Sequence, residues 1–292
     1  MIVWLASYPR SGNTLLRTIL RQCFHLYSYA DEPVDYESEF RSNPDMIGHV
    51  EHGTEWADFY PEASASDAVY LVKTHAPPID AQPFIYIVRD GRSAIVSYQA
   101  FNRNFNGLDM PLTHLISGMG GYGGWSDHYR RWNGRNLKHA MMMRYEELVH
   151  ISDDHLLNLS YFLDFRGDPK KWVNPVEQLK TVEPGFFGVQ RQQFQGDAGW
   201  TLSHEYLFRK IHGGLMTELG YYSADAPDTG WHPPEHADSM LTELAALIMD
   251  LQQENASLNK VCGERLALIN QLQGVCEERL GLIHQLHDRL NP

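Results

Sequence analysis

Cysteine is scarce in this chain, three in 292 residues, too few for a scaffold held together by disulfides. Basic residues are also short: 24 Lys and Arg face 37 Asp and Glu, for a net charge of −13. That balance argues against a general nucleic-acid binder held by a basic face. No apolar run approaches the roughly 18–20 residues needed to span a bilayer. The opening Met1-Ile2-Val3-Trp4-Leu5-Ala6 has no positive region and passes straight into a turn, unlike a secretory signal. What is present is 43% hydrophobic and 12% aromatic, enough apolar material for a sizeable core. These features predict a soluble, acidic, cytoplasmic protein with one large domain and an appendage.

The acid is unevenly placed. Residues 31–67 hold eleven Asp and Glu against Arg41 alone, and 235–292 hold nine against four bases. The remaining 17 acids and 19 bases leave the body of the chain at +2. An acidic total therefore hides a slightly basic body, suited to an anionic ligand. The 31–67 stretch is expected either to be a solvated surface or to border a site, where it would favour a cationic or neutral substrate.

Four short apolar runs, Ile2–Ala6, Val69–Val72, Phe84–Val88 and Met141–Arg144, read as buried strands. Helix-compatible segments follow three of them, near 13–26, 91–104 and 153–164. Such alternation predicts an α/β fold, a parallel sheet flanked by helices. The Gly-rich 106–124 reads as a mobile connection, and 204–219 as a further helix. The chain divides into a domain over 1–222, a Pro-rich linker over 223–236 and a tail over 237–292.

In the tail, Leu244, Leu247, Leu251, Leu258, Val261, Leu268, Leu272, Val275, Leu282 and Leu286 recur at heptad spacings, the pattern of a coiled coil. Val261–Gly274 and Val275–Asp288 agree at nine of fourteen positions, a repeat of two heptads. Arg265 and Arg279 fall at a-type positions and Glu254 at a d-type one, where polar residues restrict register and partner. Cys262 and Cys276, fourteen residues apart, read as small apolar packing residues. The tail points to a homo-oligomer or a partner protein; one amphipathic helix docked on its own body is the alternative.

The chemistry lies in three strand ends. In Trp4-Leu5-Ala6-Ser7-Tyr8-Pro9-Arg10-Ser11-Gly12-Asn13-Thr14-Leu15-Leu16-Arg17 a buried strand meets a Pro/Ser/Gly turn and then a helix. Backbone N–H groups converge there, the helix N-terminus adds partial positive charge, and Arg10, Ser11 and Thr14 supply further donors. The turn suits a phosphate or a sulfate. It lacks the GxxxxGK[ST] spacing and the hydroxyl that would hold magnesium. The run Phe84-Ile85-Tyr86-Ile87-Val88-Arg89-Asp90-Gly91-Arg92-Ser93-Ala94-Ile95-Val96-Ser97 is a second strand, turn and helix, with Arg89 at the exit and Ser97 two turns on. Two anion-suited corners on one carboxyl edge imply a ligand with two separated anionic groups. Leu71-Val72-Lys73-Thr74-His75-Ala76-Pro77-Pro78 adds a strand that ends in Lys, Thr and His before a proline stop.

Together these residues resemble the sulfotransferases that use 3′-phosphoadenosine 5′-phosphosulfate (PAPS). That family carries a Y-P-[KR]-S-G-[TN]-T loop, matched by Tyr8–Thr14, and a K-T-H segment, matched by Lys73–His75. Its R-[DN]-x-x-x-x-x-x-S element is matched by Arg89–Ser97. Tyr145-Glu146-Glu147 is similar to a Y-E-[DE] segment near the adenine. Arg191 through Trp200 is similar to a late R-x-x-x-x-G-x-x-x-W loop over the nucleotide. The resemblance covers roughly residues 1–222. It implies sulfuryl transfer to a hydroxyl or amine of a small-molecule, glycan or lipid acceptor, without a metal, leaving adenosine 3′,5′-bisphosphate. It implies that His75 is the base, with Lys73 and Arg10 neutralising charge on the transferred group. Arg10, Ser11, Gly12, Asn13 and Thr14 are then expected at the 5′-phosphate, Arg89 and Ser97 at the 3′-phosphate, and Tyr145 and Arg191 elsewhere on the nucleotide. Leu15 stands in place of a stacking tryptophan, and Gln192-Gln193 in place of Lys-Gly. A small-molecule kinase and a non-catalytic nucleotide-binding assembly protein stay open as alternatives.

Overall fold

The computed structural model describes residues 1–31, 44–133, 139–175, 194, 199–223 and separate positions between 244 and 281. Two compact units are present, Met1–His232 and Pro233–Pro292.

The first unit is built on five parallel strands: β1 (Ile2–Ser7), β2 (Ser28–Ala30), β3 (Tyr70–Thr74), β4 (Phe84–Val88) and β5 (Ala140–Arg144). Their spatial order is β2-β3-β1-β4-β5. β1 is central and buried at every residue, which explains why its sequence is a continuous apolar run rather than an alternation. Its register sets Leu5 against Lys73 of β3 and against Ile85 of β4. Strand β2, absent from the sequence expectation, is a three-residue edge strand, too short and too polar to announce itself.

Helices cover both faces. On one face, α1 (Asn13–Phe24) lays Leu16, Ile19, Leu20, Cys23 and Phe24 on Val3, Leu5, Ile85 and Ile87. The i, i+3, i+4, i+7, i+8 spacing of those residues is the apolar stripe of a surface helix. Short α7 (Tyr145–Val149) and α8 (Asp153–Phe162) extend that core through Leu148, Leu156 and Leu159. On the other face, α4 (Gly91–Phe105) and α6 (Trp125–Asn133) bury Ile95, Trp125 and Trp132, the last packed on Phe84 at 5.1 Å between ring centres. Gly91 allows this approach, since a Cβ there would lie 2.7 Å from the Trp125 ring.

The stretch 106–124, expected to be a mobile connection, is instead anchored. It contains α5 (Leu112–Ile116), whose Leu112, Leu115 and Ile116 are buried. The Tyr98 hydroxyl donates to Gly120 O at 2.8 Å, and His212 Nε2–H donates to Ile116 O at 2.8 Å. His212 belongs to α9 (Leu202–Glu218), the helix expected over 204–219. Burial lowers the His212 pKa to about 4, so the ring is a neutral strut.

Within the acidic 31–67 stretch, α2 (Pro44–Ile47) and α3 (Trp56–Ala65) are described. Glu51, Glu55, Asp58, Glu62 and Asp67 are all exposed, whereas Phe59 and Ala63 are buried. Trp56 packs on Trp4, and the Trp4 indole and Tyr60 hydroxyl both donate to Asp80. This part of the stretch is a solvated face over an aromatic layer.

In the second unit the described positions are helical, and Leu258, Val261, Leu268, Leu272 and Val275 are exposed. Arg265, Arg279 and Cys276 are exposed as well. Glu254 and Cys262 lie outside the described residues. Among the described residues no helix is long and apolar enough to cross a membrane.

Candidate active site

Three neighbouring strands deliver the site. β3, β1 and β4 run parallel and adjacent, so the residues after Thr74, Ser7 and Val88 emerge together on one carboxyl edge. Strand order reverses about β1, the point where open α/β sheets bind ligands.

The corner after β1 turns through two left-handed residues, Arg10 with φ 63° and Gly12 with φ 109°. Gly12 is required twice over: a Cβ would strike the Tyr145 ring at 2.6 Å, and L side chains avoid that φ. The Ser11 N–H is taken by Tyr8 O at 3.2 Å, and the first α1 bond runs from Leu16 N–H to Gly12 O at 3.1 Å. Among the described residues no side chain caps α1, and its first turn holds no acid. The helix therefore offers the N–H groups of Asn13, Thr14 and Leu15, which have no partner within it. Among the described residues, the buried Ser11 hydroxyl has no partner. Asn13 points inward, donating to Leu5 O at 2.7 Å and Ser7 Oγ at 3.3 Å. It stiffens the corner, and its side-chain N–H is spent there.

The corner after β4 is built differently. Asp90 caps α4 itself, its Oδ1 accepting the Arg92 N–H at 2.9 Å, and its Oδ2 lies 2.7 Å from the Arg92 guanidinium. One N–H of this helix end is thus already taken and an acid stands at it, so anion affinity here leans on side chains. Arg89 is buried, donates from Nη1 to Arg10 O at 2.9 Å, and lies 4.3 Å above the Tyr145 ring. Ser93 and Ser97 follow at one-turn intervals. Among the described residues the buried Ser93 hydroxyl has no partner, and Ser97 Oγ accepts from Arg10 Nε at 3.3 Å. Ser93 was missed in the sequence, although its spacing midway between Arg89 and Ser97 was the available signal.

Ser97, Arg10, Arg89 and Tyr145 are thus linked in a chain of contacts. Arg10 leans toward α4, over the Phe101 ring at 4.9 Å, which places it with Ser97 rather than apart from it. Arg191, Gln192 and Gln193 lie outside the described residues. From the late loop, Trp200 is held by an indole bond to Glu205 at 3.1 Å, and the Phe194 ring covers Arg92 at 4.9 Å.

His75, half-buried at the end of β3, donates from Nδ1–H to Ser7 O at 2.7 Å. A carbonyl only accepts, so the proton sits on Nδ1 and the neutral ring keeps its lone pair on Nε2. Burial first, and then the neighbouring Lys73 cation, hold the His75 pKa well below its usual 6.5. The ring is a neutral base with one basic nitrogen, edge-on to Tyr122 at 5.7 Å. Thr74 takes another path, donating to Asp31. Among the described residues no cluster of three or more His, Cys, Asp or Glu is placed to hold a metal ion.

An uncapped helix corner, a buried arginine and a neutral histidine thus meet on adjacent strand ends, an arrangement suited to an anionic ligand beside a base. A family model, "Sulfotransferase domain", matches residues 2–182. The chain belongs to the sulfotransferase family. Human Sulfotransferase 4A1 is 24% identical over 161 residues, covering 50% of this chain and 54% of that protein. Rat Sulfotransferase 1C2 is 24% identical over 194 residues, covering 60% and 57%. The chain thus spans little more than half the length of these sulfotransferases. Mouse sulfotransferase SULT7A1, solved in complex with PAP, aligns at a TM-score of 0.48 and 18% identity over 75% of this chain and 85% of that one.

Proposed function

We propose that this chain transfers a sulfuryl group from PAPS to a hydroxyl or amine acceptor. The observation that carries the reading is the neutral His75, tied at Nδ1 and basic at Nε2, beside an anion-suited corner. The unpaired Ser11 and Ser93 hydroxyls and the uncapped N–H groups of α1 fit a donor with anionic groups at each corner. PAPS, when bound, supplies the activated sulfuryl group and leaves as adenosine 3′,5′-bisphosphate.

The roles we assign are these. Ser11, Gly12, Asn13 and Thr14 hold the 5′-phosphate through the corner and the first turn of α1. Arg89, Ser93 and Ser97 hold the 3′-phosphate, with Arg89 also fixing the first corner through Arg10 O. Tyr145 packs below Arg89 and closes the space over Gly12, and Arg191 is assigned to the same nucleotide. Lys73 and Arg10 supply positive charge where negative charge develops. Nε2 of His75 takes the acceptor proton. Because His75 stays neutral well below pH 6.5, turnover holds level as the pH falls from 7.5 through 6.5. A decline centred at 6.5 or above would contradict this electrostatic account. Substitution of His75 by Ala is expected to lower turnover by about 10²–10⁴-fold and leave nucleotide binding intact. Retention of more than about a tenth of the rate would remove His75 as the base.

The domain divides here into a transferase body over 1–222, a linker over 223–236 and an assembly tail over 237–292. Support for the tail is the heptad pattern and the exposure of its described apolar positions, which favours self-association through a coiled coil. Incubation with radiolabelled PAPS and a cell extract, followed by mass analysis of the labelled product, tests the activity and identifies the acceptor class. Phosphate transfer from ATP with magnesium would support the kinase alternative instead, and nucleotide binding with no transfer the assembly protein.

A further inference from the structure

His75 is held from two directions, and only one of them is its ring. Its carbonyl accepts a hydrogen bond from Nε2–H of His128 at 2.8 Å. One turn along the same face of α6, the Trp132 indole donates to Ala76 O at 3.2 Å. These carbonyls follow the end of β3, beyond the sheet ladder, so α6 side chains supply the donors that a neighbouring strand would otherwise provide. His128 is 1% exposed. Since its Nε2 faces a carbonyl, Nε2 carries the proton and Nδ1 is an acceptor. The Tyr86 hydroxyl donates to that nitrogen at 2.8 Å.

The connections close on themselves. The Tyr8 ring packs edge-on against the His128 ring, 5.8 Å between centres. Tyr8 follows Ser7, whose carbonyl holds the His75 ring. The circuit therefore runs Tyr8, His128, His75 and Ser7, with Tyr86 bracing His128, and joins the end of β1, α6, the end of β3 and the middle of β4. Burial holds the His128 pKa down to about 4, against the opposing effect of its bond to the His75 carbonyl. The charged and titratable groups acting on His75 are Lys73, Arg10 and His128, and those near His128 are Arg131 and the phenols of Tyr86 and Tyr8.

We infer that His128 is a positioning residue of the transfer reaction: as a neutral Nε2–H imidazole braced by Tyr86, it fixes the His75 main chain so that the His75 ring stays on Ser7 O with Nε2 presented to the acceptor. This rests on His75 being the base, and it places a second histidine, 53 residues away in sequence, in its support.

Ring-nitrogen spectra of ¹⁵N-histidine-labelled protein read the tautomer and titration of each imidazole without any turnover. Near neutral pH the spectra should show His75 as Nδ1–H and His128 as Nε2–H, with assignment by His75→Ala and His128→Gln. In His128→Leu, His75 is expected to lose its single tautomer and to titrate about one pH unit higher, toward its unperturbed value. His128→Gln, whose amide N–H reaches the same carbonyl, should keep the wild-type His75 signals. Rates with radiolabelled PAPS and phenol as the acceptor probe should fall about tenfold or more in the Leu variant, with affinity for adenosine 3′,5′-bisphosphate unchanged. If the Leu variant does not fold, Tyr86→Phe keeps the ring volume, removes the brace and should move His75 in the same direction by less. An unchanged His75 tautomer and titration in the folded variant, or equal disturbance by Gln and Leu, overturns the inference. Absence of transfer by the wild type counts against the proposed activity, while the spectra still decide the role of His128.

Discussion

The two corners that flank the site look alike as sequence, a strand followed by a polar turn and a helix, yet they solve the anion problem in opposite ways. After β1 the helix end is left bare, with no cap and no acid in its first turn. After β4 the Arg92 N–H is taken by Asp90, the positive charge is that of Arg89, and the hydroxyls of Ser93 and Ser97 add neutral polar groups. On the proposed reading, the first corner relies chiefly on its backbone conformation and the second chiefly on its side-chain charge. Arg89 couples them by donating to the Arg10 carbonyl.

The largest contrast is expected from Gly12→Ala. At φ 109°, with Tyr145 2.6 Å from the new Cβ, strain and a clash together should cost about 2–4 kcal/mol of stability. Denaturant unfolding reads that loss, and calorimetry should show nucleotide binding falling with it. Arg89→Ala should next weaken adenosine 3′,5′-bisphosphate by about 1.5–3 kcal/mol, the range of a charge-assisted contact. Unchanged affinity in calorimetry would end its assignment to the second corner. Asp90→Ala should have the smallest effect, about 1 kcal/mol of stability for a lost helix cap. It would leave affinity for the bisphosphate unchanged or slightly raised, because an acid is removed and a helix end exposed. A marked loss of affinity would show that Asp90 serves the ligand and not the helix.

Both corners were legible in the sequence because their elements are local: strand, turn and helix lie within about a dozen residues. The same holds for β1, β4 and β5, whose apolar runs match the observed strands to within a residue. Strand β2 was not legible because three edge residues carry no period. Residues 106–124 were misjudged because their glycines outweighed the i, i+3, i+4 spacing of Leu112, Leu115 and Ile116. The self-capping of α4 was hidden for a different reason. Asp90 in a basic-looking motif reads as part of an anion site until its bond to the Arg92 N–H is seen. The bracing of His75 by His128 and Tyr86 is also beyond a sequence pattern, since it joins residues brought together only by the packing of α6 on the sheet.

The account stands or falls on which nucleotide the paired corners accept. Calorimetric titration of the full chain with adenosine 3′,5′-bisphosphate, and separately with ATP and magnesium, tests it most directly. Saturable one-to-one binding of the bisphosphate, lost in Arg89→Ala and much weaker for ATP with magnesium, is the result expected. Equal or tighter binding of ATP with magnesium, or no binding of the bisphosphate, would contradict it.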